Sequence, residues 1–109
     1  VDGPALPDES NVFGSLHTSR SPERVARVFA RSGWDVRKCS WTDYEITCAF
    51  AELVIERSAV EPEYVLIHGS VADVGVNLPR ITEPLTAAGI PYSLEYYNAE
   101  RDLIHHTRG

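Results

Sequence analysis

SPERVARVFARSG, Ser21 to Gly33, carries the clearest helix signal in the sequence. A serine at the start offers a hydroxyl to the unpaired N–H groups of a first turn. Pro22 fits the first helical position, and Glu23 meets the positive end of the helix dipole. Val25, Val28, Phe29 and Ser32 recur on one face at helical spacing, and Gly33 supplies a left-handed stop. Arg24, Arg27 and Arg31 give the helix a locally basic side. A helix that hides one stripe needs a sheet beneath it.

The flanking segments supply that sheet. Val12–His17 reads as a strand before the helix, and Trp34–Trp41 alternates after it. Tyr44–Ile55 is rich in β-branched and aromatic residues. Together these last two predict a hairpin turning at Asp43–Tyr44, with position 42 opposite 45 and position 39 opposite 48. Residues 49–58 are read as strand rather than helix, because Ile46, Cys48 and Phe50 alternate into them.

The second half repeats this order. Tyr64–His68 predicts a dense apolar strand buried on both faces or nearly so, followed by a polar loop through Ala72–Asn77. Thr82 as cap, with Pro84 in the first turn, predicts a short helix from Glu83 to Ala88; a proline kink is the alternative. Gly89 ends it, and Pro91–Tyr97, a turn at Asn98–Arg101 and Asp102–Thr107 form a second hairpin. A shift of 56 residues carries Gly33 onto Gly89, Phe29 onto Leu85 and Trp41 onto Tyr97. The expected fold is therefore α+β. Two βαββ units in tandem, 11–60 and 61–109, form a mostly antiparallel sheet of about six strands with two helices on one face. The alternative is a ferredoxin-like βαββαβ sheet with a C-terminal hairpin extension. Residues 1–10, with two prolines and a glycine, read as a flexible tail before a single domain.

Composition narrows the function more than any motif does. The 109 residues hold ten Lys+Arg against sixteen Asp+Glu, for a net charge of −6. That balance argues against a nucleic-acid backbone as partner, since such binding rests on Lys and Arg displacing counterions. No apolar run approaches the roughly 20 residues needed to span a membrane, and no basic segment followed by an apolar one opens the sequence. The expected compartment is the cytoplasm, where Cys39 and Cys48, opposed in the predicted hairpin, stay reduced; a disulfide between them is the alternative. Two cysteines do not make a zinc signature.

Catalytic chemistry is sparse. His17 and His68 hold similar places in the repeat, and as a pair they would suit a metal or general acid–base work. No carboxylate is spaced to support them, and His105–His106 point to opposite faces of a strand. No phosphate loop or serine elbow occurs. No catalytic residue, metal ligand or cofactor is assigned.

What remains is an acidic, aromatic surface. Trp41, Asp43, Tyr44 and Glu45 at the first hairpin, with Tyr97 and Glu100 at the second, combine rigid contact area with negative charge. The expected function is a small acidic protein-binding module for a basic protein, such as an inhibitor or immunity-type protein for a toxin or nuclease. A small-molecule-binding regulatory domain is the alternative, and a small enzyme using His17 and His68 is a second. An exposed sheet edge would also permit a homodimer.

Overall fold

The computed structural model describes residues 6–7, 9–61, 63–98 and 103–109, with only the backbone for 104–108. Its elements are β1 (Val12–His17), α1 (Pro22–Ala30), β2 (Asp35–Lys38), β3 (Tyr44–Cys48), β4 (Ala51–Arg57), β5 (Tyr64–Val71), α2 (Val74–Ala87), β6 (Tyr92–Tyr97) and β7 (Leu103–Arg108).

Helix α1 forms as its sequence dictates. The Ser21 hydroxyl accepts from the Arg24 N–H at 3.2 Å, a cap worth about 1 kcal/mol. Both helices end in the same motif. Gly33 and Gly89 take positive φ (95° and 70°). The next residue then reaches back five positions, Trp34 N–H to the Phe29 carbonyl at 3.1 Å and Ile90 N–H to Leu85 at 2.9 Å. Trp34 also packs edge-on against Phe29, at 5.3 Å between centroids.

The strands make one seven-stranded sheet in the order β2-β3-β4-β5-β1-β6-β7, antiparallel at every pair. Class, sheet type and two-layer arrangement are those expected from the sequence. The halves interlock at the centre. β1 of the first half lies between β5 and β6 of the second, and β5 pairs with β4 of the first. The inner strands β4-β5-β1-β6 with their two helices follow the ferredoxin-like order. β2 and β3 extend one side, and β7 the other.

The seventh strand arises because Tyr44–Ile55 is two strands. The chain reverses at Ala49–Phe50, setting Cys48 opposite Ala51. Tertiary contacts, not turn-forming residues, hold this reversal. Phe50 meets Trp34 edge-on at 5.5 Å, and its carbonyl accepts from the Ala72 N–H at 2.8 Å. The first hairpin is also tighter than expected, with Lys38 opposite Tyr44 and the Cys39 N–H donating to the Asp43 carbonyl. Ser40 sets this turn, accepting from the Asp43 N–H at 3.1 Å. Cys39 therefore does not oppose Cys48, and both are free thiols.

Helix α2 begins at Val74, well before the expected Glu83, and runs through Pro79 and Pro84. Asp73 starts it in a left-handed conformation without a side-chain cap, and Asn77 ties the first turn to the Ala72 carbonyl at 2.7 Å. Each interior proline costs about 3 kcal/mol of helix stability. Burial of Leu78, Ile81 and Leu85, at about 1.5–3 kcal/mol each, offsets this.

α1 packs over β2, β3 and β4, α2 packs over β5 and β6, and the helices touch each other. Val12, Leu16, Leu53, Ile55, Ile67 and Leu94 from the sheet meet Val25, Phe29, Ile81 and Leu85 from the helices in one core. Strand β5 is consequently buried on one face only, contrary to expectation. Val65, Ile67 and Val71 face the helices, while Tyr64, Leu66, His68 and Ser70 are half-buried on the other side. Among the described residues no helix is long and apolar enough to cross a membrane.

Candidate functional site

Strand alternation determines what the uncovered face displays. One row crosses the sheet as Arg37, Glu45, Val54, His68, Phe13 and Glu95, each opposite the next. A neighbouring row runs Glu56, Leu66, Ser15 and Ser93, and a third begins Asp35, Thr47, Glu52 and Ser70. The centre is apolar and aromatic. Phe13 meets Tyr97 edge-on at 5.9 Å, and His17 stacks on Tyr64 at 4.6 Å. Around it stand Asp35, Glu45, Glu52, Glu56 and Glu95. In these rows Glu45 holds Arg37 at 2.6 Å, and β7 sets Arg108 opposite Ser93 and His106 opposite Glu95.

Charge is segregated between the layers. The opposite layer carries Arg20, Arg24, Arg27 and Arg31 along one groove of α1. Among the described side chains of these rows, five carboxylates stand against one guanidinium, so the uncovered face is acidic in its own right.

Within that face lies a hollow of about 320 Å³, lined by Phe13, Gly14, Ser15, Ser93 and Glu95. It exists because the sequence places small residues side by side on β1 and β6, Ser15 opposite Ser93, beside a large ring. A backbone constraint fixes the small residue at 14. A Cβ there would stand 2.6 Å from the Ser93 carbonyl oxygen. Glu95 forms the acidic wall, and the Tyr97 hydroxyl donates to it at 3.4 Å.

The residues singled out from sequence are divided by this geometry. Glu45 and Tyr97 lie on the uncovered face, on β3 and β6, four strands apart and hence separated by about 19 Å. Tyr44 points to the helix side and packs against the core. Asp43 lies in the β2–β3 turn, where its carboxylate accepts from the Thr42 hydroxyl at 3.0 Å. Trp41, 90% exposed, also lies in that turn, with Lys38 over its ring at 5.6 Å. Glu100 lies outside the described residues. The two hairpins thus do not converge.

Phe13, Ser15 and Ser93 were not singled out by sequence. The available signal was Phe13, Ser15 and His17 at every second position of the strand, large, small and large on one face. His17 and His68 do face the same side, but His17 opposes Tyr64 and His68 opposes Phe13. Four residues of strand, about 13 Å, separate them. His68 instead stands 3.5 Å from Glu56. Among the described residues no group of three or more His, Cys, Asp or Glu side chains could hold a metal ion. Comparison with models of protein families, with curated proteins and with solved structures finds no match to this chain.

Proposed function

We propose that the chain is a protein-binding module whose uncovered sheet face receives a basic partner, with a lysine or arginine side chain of that partner seated in the hollow beside Phe13 and Glu95. The hollow supports this reading most directly. A cation entering it meets a carboxylate for a charge-assisted hydrogen bond, an aromatic ring for cation–π attraction and two serine hydroxyls. The acids around the hollow add long-range steering, which raises association rates at low salt. Inhibition of a basic toxin or nuclease is the functional class that suits such a surface.

The test compares capture of partners by the wild-type chain and by a Glu52→Lys/Glu56→Lys variant. A basic protein is expected on the wild-type chain, lost from the variant and associating more slowly as salt rises. An acidic partner, or a basic one that binds both chains equally and without salt dependence, contradicts the reading.

A further inference from the structure

A second concavity lies on the helix side of the sheet. It measures about 470 Å³ and is bounded by the end of α1, the β3–β4 turn and α2. Trp34 and Phe50 meet edge-on at its base, 5.5 Å apart. Trp34 is itself wedged against Phe29, so the aromatic wall is fixed by the core. Cys48 lines the same space. Burial pushes its thiol up from the ordinary value, against the Phe50 and Ala51 backbone hydrogen bonds and the charge of Arg80, so it is a neutral wall at neutral pH.

Helix α2 contributes two charges of opposite sign. Arg80 holds its guanidinium over the Phe50 ring, 5.3 Å from the centroid, and Glu83 lies one turn further along the same lining. Residues three apart on a helix are neighbours, with Cβ atoms about 5–6 Å apart. Arg80 and Glu83 nevertheless form no ion pair with each other. Among the described residues neither side chain makes a hydrogen bond or salt bridge to another group. The cleft therefore offers an aromatic base, a cation that rests on Phe50 without an anionic partner and an anion without a cationic one, within a short reach.

We infer that this cleft binds a free aromatic α-amino acid, with its ring against Trp34 and Phe50, its carboxylate on Arg80 and its ammonium on Glu83. A singly charged ligand leaves one of the two helix charges unmatched. An aliphatic amino acid leaves the aromatic wall without a ring to stack on it. The site lies on the opposite side of the sheet from the proposed protein-binding face and stands or falls independently of it.

The sequence has two tryptophans, so the Trp41→Phe variant leaves Trp34 as the sole indole reporter. Its emission is titrated with L-phenylalanine, 3-phenylpropionate, phenethylamine and L-alanine. The expected result is a saturable change with L-phenylalanine, roughly tenfold weaker binding of the two singly charged analogues and weaker still of L-alanine. Roughly tenfold weakening is also expected in Arg80→Gln and in Glu83→Gln, with folding of each checked by circular dichroism. A tenfold change in affinity corresponds to about 1.4 kcal/mol. No saturable change up to about 10 mM, ten times a millimolar dissociation constant, overturns the proposal. Equal binding of L-phenylalanine and 3-phenylpropionate does so too.

Discussion

Phe13 stands directly opposite His68 across the central β1–β5 pair, on the face that neither helix covers. The ring of Phe13 forms one wall of the hollow whose other side is Glu95, its partner across β1–β6. The pair thus joins the structural centre of the sheet to the surface proposed to receive a basic side chain.

Replacing Glu95 tests that surface without disturbing the core. Glu95→Gln removes the charge and keeps the shape, and its Tyr97 contact is long. Stability should change by no more than about 0.5 kcal/mol in urea denaturation. Affinity for a basic partner should fall by about 2–5 kcal/mol if the carboxylate meets a buried cation, chiefly through faster dissociation. Surface plasmon resonance separates the two rates.

Among the described residues Asn11 is the buried polar one. Its side chain donates to the Val71 carbonyl at 2.9 Å and accepts from the Val71 N–H at 2.8 Å, holding the end of β5 to the start of β1. Asn11→Ala leaves both Val71 groups without partners in a buried place. A loss of about 1–3 kcal/mol per unsatisfied group is expected, read from the midpoint of chemical denaturation.

Gly69 sits where β4 and β5 approach closely. A Cβ there would overlap the Glu52 carbonyl oxygen and stand 2.8 Å from Leu53 Cα. These are backbone atoms of a central strand and cannot swing aside. Gly69→Ala should cost about 1–3 kcal/mol or more, measured in the same way, with faster hydrogen exchange along β4.

Cys48 gives a pH signature. Because burial raises its thiol above the ordinary 9.0, the native state holds this proton where the unfolded chain has released it. Stability should therefore fall as pH rises above 9.0 towards the folded pKa, and part of that slope should disappear in Cys48→Ala. Alkylation of Cys48 in the folded chain should begin at higher pH than in urea.

The sequence made some elements plain for physical reasons. Ser21–Gly33 and Gly89 carry local signals, a cap and two left-handed stops, and these act without distant partners. The start of α2 was hidden because Gly75 and Asn77 look like loop residues. Asn77 instead bonds back to Ala72, and Leu78, Ile81 and Leu85 find their core only in the assembled fold. The reversal at Ala49–Phe50 was hidden for a similar reason, since Trp34 and Ala72 hold it from afar. The acidic character of the site was legible in Glu45, Glu52 and Glu56. Its location was not, because the exposed face of β5 depends on where both helices settle. Tyr64, Leu66 and His68 alternate with Val65 and Ile67 in hydrophobic strength too weakly to tell.

The most direct measurement is a two-dimensional NMR titration of the labelled chain with a short arginine–lysine peptide at low salt. The largest shifts should fall on Phe13, Ser15, Ser93 and Glu95, and they should vanish in Glu95→Lys and shrink as salt is added. Shifts of equal size at Glu61 and Glu63 in the β4–β5 loop, or none at Ser15 and Ser93, would show that the hollow does not receive the cation.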